Sequence, residues 1–404
     1  MKEAADMEEW EPRRVNWLEI DLDALEQNFK NYKAMVGPDI KIMPAIKVNA
    51  YGHGIIACAK VLEEAGADYL GVGTVEEGIL LREQGVKMPI LIFASNLLEE
   101  TAPLYVEHRL IPTVLSLEGA KAVAQAAGQK KQDIFIGMDT GRGRLGVNAE
   151  KFPELFRSIQ QLPQLHVEGV YSHMAKVGWP DADNQYALWQ RDRFQKAMDA
   201  IGKAAEAIPF RQLANTPAGI ALPELRFTGV CPGRAMWGYS PLEKRPGHPE
   251  FTAPLKAWKS RLIHVNEVWG GKFGPNFSAV QLTAPKRIGI MAGGIGDGFQ
   301  APLSQGYVLL NGRKCPVASS LSLEHTILDL TDFPEAKPGD EIVILGRQGE
   351  EEITLEQHMK DWNLNIPKVW VTISRHIDRQ YYRHGKLWAV GRENKLIYVQ
   401  GDPK

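Results

Sequence analysis

The chain predicts an α/β protein: a (β/α)8 barrel of the TIM type followed by a mostly β C-terminal domain. Three observations carry that prediction. Up to about Cys231, short apolar runs alternate with helical patterns. Past Pro241 the helical patterns give way to short β-branched runs separated by turn residues. Between them, Glu243 to Glu250 is rich in charge, proline and glycine, the composition of a boundary. The division that follows is residues 1–250 for the barrel, with a polar leader, and residues 251–404 for the β domain.

Met1 to Arg14 reads as the polar leader, and Val15 to Asp21 alternates like a strand. Asp21 or Asp23 can cap the helix that runs through Leu25, Phe29 and Tyr32. Strands are then expected near Ile42–Val48, Tyr69–Thr74, Ile90–Ala94, Pro112–Leu115, Ile134–Met138, Val167–His173, Gln212–Ala214 and Phe227–Cys231. Helical patterns fall between most of them, including Ile55 to Glu64, Val75 to Gln84, Leu117 to Ala127 and Gln185 to Ala207. Eight strands over roughly 200 residues fit a barrel, and a doubly wound sheet is the competing arrangement. In the second domain the β-branched runs are Arg261–Val268, Ile288–Ala292, Tyr307–Leu310, Cys315–Ala318, Ile342–Leu345 and Val369–Ile373, with turns such as Asn311-Gly312 and Pro338-Gly339 between them.

Composition narrows the function classes. With 404 residues, 44% of them hydrophobic, the chain can bury a large core in more than one domain. A formal net charge of −2 leaves no electrostatic footprint for nucleic acid or for an anionic membrane. Cys58, Cys231 and Cys315 are odd in number and unclustered, which suggests neither a disulfide framework nor a zinc site. Met1 to Glu11 has no apolar signal core and no apolar stretch is long enough to span a bilayer, so a cytoplasmic protein is expected.

The chemistry centres on Lys47, at the end of the first apolar run and ahead of a turn with two glycines. An ammonium at the end of a buried strand is costly to keep charged, which lowers its pKa. A partly neutral lysine is the usual nucleophile toward an aldehyde. The competing reading is a lysine whose stem lies on apolar surface and whose head reaches solvent. In a (β/α)8 barrel, working residues lie at the C-terminal ends of strands, and phosphates commonly bind after strands seven and eight. Asn215-Thr216-Pro217 and Pro232-Gly233-Arg234 stand at those two places. The Thr216 hydroxyl and N–H groups near Gly233 could cradle a phosphate, or the two segments could be an ordinary helix cap and turn. His173, after the sixth strand, is by itself as easily a core histidine as a functional one. Asp139-Thr140-Gly141-Arg142-Gly143-Arg144, after the fifth, can bring backbone and fixed positive charge to a ligand, or be a solvated loop with an Asp139–Arg142 pair.

Pro44-Ala45-Ile46-Lys47-Val48-Asn49-Ala50-Tyr51-Gly52-His53-Gly54 resembles the pyridoxal-phosphate lysine segment of the alanine racemase family, a fold-type III family in which a barrel precedes a β domain. Asp139-Thr140-Gly141 through Arg144-Leu145-Gly146 is similar to a second motif of that family. The resemblance implies a pyridoxal 5'-phosphate-dependent amino-acid racemase acting through a Lys47 aldimine and Cα proton abstraction. It implies that Tyr51 reaches the phosphate and that Arg144 bonds the ring hydroxyl and the substrate carboxylate. It also implies that His173 packs on the cofactor ring, that Thr216, Gly233 and Arg234 hold the phosphate (the last two through backbone groups), and that a homodimer completes each site with the partner's C-terminal domain. The substrate would be a small amino acid.

Five positions depart from the family pattern. Phe273 stands where the family's second base, a tyrosine, belongs. A phenyl ring takes no proton, although racemisation needs a base on each face of the carbanion. Cys231 replaces the arginine facing the pyridine nitrogen, and Gly137 replaces a modified lysine that orients Arg144. Leu323 replaces a substrate-side methionine and Arg375 a phosphate-side tyrosine. These changes leave open a different reaction on the same fold (decarboxylation, aldol cleavage or one-faced proton transfer) and a non-catalytic cofactor-binding protein.

Overall fold

The computed structural model describes residues 15–93, 97–246, 248–268, 271–273, 280–282, 285–301, 306–318 and 321–399. The leader expected at Met1 to Arg14, the residue Ala94 and the segment Gly274 to Phe277 lie outside them. Two compact units emerge. One comprises Ala24–Ala50 and Cys58–Ala253; the other contains the described residues up to Asp23, the short segment Tyr51–Ala57 and the chain from Pro254 on.

The first unit is the barrel. Its eight parallel strands are Lys41–Ile42, Leu70–Val72, Ile90–Ile92, Ile111–Val114, Gln132–Asp139, Leu165–Tyr171, Phe210–Ala214 and Gly229–Val230. Each pairs with its sequence neighbour, and Gly229–Val230 returns to Lys41–Ile42. The ring closes between the first and second strands through a bridge from Ala45 to Gly71, where Ile46 N–H donates to the Gly71 carbonyl at 2.8 Å and Gly71 N–H to that of Pro44 at 2.9 Å. Closure excludes the doubly wound sheet.

The inside of the ring is packed. Met43, Tyr69, Leu91, Ile111, Phe135 and Phe210 form one buried cluster, with the Tyr69 and Phe210 rings 5.1 Å apart. Large and small positions alternate: a Cβ on Gly169 would come within 2.2 Å of the Phe135 ring, and one on Gly229 within 2.5 Å of Phe210. The outer helices begin where capping side chains stand. Thr74 and Ser116 accept backbone N–H groups at the starts of Val75–Glu83 and Leu117–Ala127. The helix expected to run to Ala207 ends at Asp199, short of Gly202, whose φ of +60° departs from a right-handed helix.

The second unit is mostly β. The strand Asn16–Asp21 lies in its sheet, antiparallel to Leu255–Val268 on one side and parallel to Asp378–Arg383 on the other. Asp21 caps the following helix, accepting the Asp23 N–H at 3.0 Å. One expected strand, Val369–Ile373, is instead the last turn of the helix Ile366–Thr372 and its C-cap. Asn365 accepts the Lys368 N–H at 3.1 Å and Pro367 occupies the first turn, so capping outweighs the β-branched composition. The segment Tyr51–Ala57 threads this unit tightly. A Cβ on Gly52 would stand 2.1 Å from the Trp370 carbonyl oxygen and one on Gly54 1.8 Å from the Tyr381 hydroxyl, at φ +86° and +96°. Only glycine meets both demands.

Candidate active site

Lys47 is not the last residue of a strand. The first strand ends at Ile42, Ala45 adds one bridge, and Lys47 opens a turn at the C-terminal mouth of the barrel. Val48, Asn49, Ala50 and Tyr51 then take φ values of +56°, +54°, +53° and +52°. A left-handed conformation costs about 1–2 kcal/mol per non-glycine residue, and for β-branched Val48 it is a true outlier. Such strain persists only where neighbouring groups hold it. Ala50 N–H donates to the Ile46 carbonyl at 2.8 Å, and Asn49 N–H donates to the Glu77 carboxylate at 2.8 Å.

The Lys47 amine lies 5.5 Å from the centre of the Phe93 ring, which meets Tyr171 edge-on. Burial drives its pKa below the ordinary lysine value; Cys231 and Glu77 pull against that shift and Arg144 adds to it. The amine is therefore easier to deprotonate than a surface lysine. Cys231, following the eighth strand, packs against the barrel core, and its backbone N–H donates to the Ala214 carbonyl at 2.9 Å. Burial pushes the Cys231 thiol up to about 12, with the Lys47 cation working against it, so the sulfur is a neutral thiol at physiological pH.

The loop after the fifth strand is built around Asp139. Its carboxylate accepts the backbone N–H groups of Gly141 at 2.8 Å, Gly143 at 2.9 Å and Arg144 at 3.2 Å. Partial burial pulls its pKa up, but these donors and that of Arg142 outweigh it and hold the carboxyl below the usual range. Those oxygens are occupied by backbone, and the expected pairing with Arg142 gives way: Arg142 Nη1 donates to the Ala175 carbonyl at 3.5 Å. Arg144 presents an exposed side chain from the same loop. At Gly137 there is no room for a larger residue, since a Cβ would stand 2.7 Å from Leu115 Cδ2 and 3.1 Å from Thr113 Cγ2.

His173 follows the sixth strand. Part of its surface is open to solvent, yet the surrounding protein and the cations of Arg144, Lys47, Arg142 and Arg234 push the imidazole down to about 4. It is neutral at physiological pH. The sequence reading missed the group that fixes its loop, the fully buried Gln190. That side chain accepts the Ala175 N–H at 2.9 Å and donates to the His173 carbonyl and the Thr140 hydroxyl, each at 3.2 Å.

After strands seven and eight, the buried Thr216 Oγ1 accepts the N–H groups of Gly233 at 3.1 Å and Ala235 at 3.3 Å. The starts of the helix Thr216–Ala221 and the turn Arg234–Trp237 are thus tied together, and the Arg234 side chain is exposed. Lys47, Arg144 and Arg234 each lie within electrostatic reach of His173, while Thr216 and Gly233 share a hydrogen bond. Tyr51 belongs to the β unit, where its ring meets Trp370 edge-on at 6.3 Å. Phe273 lies in the strand Gly271–Phe273, opposite Val280. Leu323 is 70% exposed.

A closed (β/α)8 barrel with a pKa-lowered lysine at its C-terminal mouth, beside Arg144 and His173, defines a barrel enzyme organised around a reactive amine. Residues 20–241 match the family described as alanine racemase, N-terminal domain, and residues 256–381 match alanine racemase, C-terminal domain. The chain belongs to the alanine racemase family, whose members are isomerases of the racemase type. It is 32% identical over 372 residues to alanine racemase of Halothermothrix orenii, covering 91% of this chain and 97% of that one. It is 31% identical over 390 residues to alanine racemase of Geobacillus stearothermophilus, covering 93% and 96%. The structure of alanine racemase from Clostridium difficile 630 superposes with a TM-score of 0.86 at 27% identity, over 95% of this chain and 100% of that one. That of the Bacillus anthracis enzyme with bound L-Ala-P gives 0.84 at 26% identity, over 95% and 99%.

Proposed function

We propose that this protein is a pyridoxal 5'-phosphate-dependent racemase of a small amino acid, alanine first among them, with Lys47 as the residue that holds the cofactor and moves the Cα proton. The observation that carries the reading is the Lys47 amine, lowered in pKa at the barrel mouth beside Arg144 and a neutral His173. The donor set fits the cofactor. An amine with accessible neutral form suits an aldehyde, and the threonine-centred turn after strands seven and eight suits a phosphate. Four cations around His173, with Glu77 the carboxylate nearest Lys47 in effect, suit a polyanionic ligand.

When bound, pyridoxal phosphate supplies an electron sink that acidifies the substrate Cα–H. The protein's own residues supply the rest. Thr216 and the backbone at Gly233 and Arg234 would hold the phosphate, and the resemblance assigns Tyr51 to it. Arg144 pairs with the substrate carboxylate in the bidentate geometry a guanidinium favours. His173, kept neutral, would pack against the ring without adding a fourth positive charge to those of the arginines. Lys47 Nζ takes the Cα proton on one face and can return it there. Phe273 carries no titratable proton, so the opposite face draws on another group. A homodimer and a cytoplasmic location complete the reading; among the described residues no helix is long and apolar enough to cross a membrane.

The test is hydrogen exchange at Cα. Incubation with L-alanine in D2O should yield deuterated L-alanine and D-alanine, and Lys47→Ala should abolish both. Failure of both enantiomers across a broad amino-acid panel to exchange or interconvert would overturn the assignment.

A further inference from the structure

Thr74-Val75-Glu76-Glu77 has the spacing of a helix capping box, in which the glutamate turns back onto the N–H of the capping threonine. Half of that box forms: Thr74 Oγ1 accepts the Glu77 N–H at 3.3 Å. The Glu77 carboxylate goes elsewhere. One oxygen accepts the Gly73 N–H at 2.9 Å, and the other reaches across to the Asn49 N–H at 2.8 Å, two residues beyond Lys47. The residue is 9% exposed. A buried carboxylate left in this position needs partners, and both its partners are backbone groups that flank Lys47.

Gly73 completes the arrangement. A Cβ there would stand 3.4 Å from Lys47 Cβ and 3.3 Å from Glu77 Oε2, so the stem of the lysine and the carboxylate share one narrow space. The turn they hold has four consecutive residues with φ near +54°, which local preference opposes.

We propose that Glu77 is a positioning residue for Lys47: its carboxylate, clamped between the N–H groups of Asn49 and Gly73, holds the left-handed turn that presents the amine at the barrel mouth. A local helix cap needs neither the bond to Asn49 nor the negative charge. The proposal rests on Lys47 as the cofactor lysine for its catalytic consequence, while the clamp itself stands on geometry alone. Charge adds a second effect. Cys231 after the eighth strand, Arg144 from the loop after the fifth and His173 after the sixth also face Lys47; among these groups the carboxylate is the one anion that stabilises its protonated form, since the thiol is neutral.

Two readouts test this on the full-length protein, comparing wild type with Glu77→Gln and Glu77→Asp. Amide hydrogen exchange, which needs no cofactor, should show the Asn49 and Gly73 amides exchanging at least about tenfold faster in both variants, with distant barrel strands unchanged. With pyridoxal phosphate added, the pH midpoint of the visible absorbance should move down in Glu77→Gln, since a negative charge acting on the amine is lost, and stay near wild type in Glu77→Asp. Unchanged exchange at both amides overturns the clamp, and Glu77→Asp supplies that result should the glutamine variant fail to fold. An unmoved midpoint in Glu77→Gln overturns the electrostatic role. A wild type that forms no borohydride-reducible bond at Lys47 would instead sink the cofactor reading and leave the exchange result to judge the clamp.

Discussion

The Thr216 hydroxyl oxygen accepts the Gly233 backbone N–H at 3.1 Å, tying the end of the seventh barrel strand to the end of the eighth. This single side chain organises both turns assigned to the phosphate. Thr216→Val keeps the shape and removes the hydroxyl. Cofactor affinity should fall about 10- to 100-fold, the worth of one hydrogen bond to a charged group plus loosening of the turn. Spectrophotometric titration with pyridoxal phosphate measures it, and an unchanged Kd would remove Thr216 from the phosphate site.

Arg379 is buried, and its guanidinium donates to the carbonyls of Gly52 at 2.8 Å and Ile377 at 2.7 Å, with longer bonds to Ser374 and Arg375. Truncation would leave these acceptors without their donor. Arg379→Met should cost at least about 3 kcal/mol in urea denaturation. A loss under about 1 kcal/mol would mean that water replaces the guanidinium freely.

Burial pushes the His358 imidazole from 6.5 down to about 3. The folded state then binds this proton more weakly than the unfolded chain does. Stability from the neutral ring is complete above about pH 6.5 and is lost as pH falls toward 3. His358→Leu should flatten the acid limb of a stability–pH curve over that window. Parallel curves for the two proteins would show that the ring charges without penalty.

Phe273 lies opposite Val280 in a short two-stranded ladder. If a phenol there is what the second face lacks, Phe273→Tyr should raise the racemisation rate by about 100-fold, the usual yield of a placed acid–base group. Steady-state assays with both enantiomers measure it. An unchanged rate would mean that another group already serves that face.

Much of the barrel was legible because apolar runs and capped helices repeat along it: Ile55–Glu64 and Leu117–Ala127 fall where their periodicity puts them. The lysine was legible in kind but not in setting. A left-handed run through Val48 and Ala50 contradicts their local preference, so the strand was expected to run to Val48. Asp139 was read as a partner for Arg142, whereas three nearby N–H groups claim its carboxylate. Gln190 and Glu77 were missed for a different reason. Each acts through a bond to backbone far away in sequence, and only the closed ring brings those partners together. In the same way the helix Ile366–Thr372 was hidden by its β-branched side chains and revealed by its Asn365 cap.

The central claim is that the Lys47 amine carries the cofactor. Borohydride reduction of the purified, pyridoxal-phosphate-treated protein followed by peptide mass analysis tests it most directly. A pyridoxyl-phosphate adduct is expected on the peptide containing Lys47 and none in Lys47→Ala. An unmodified Lys47, or an adduct confined to another lysine, would contradict it.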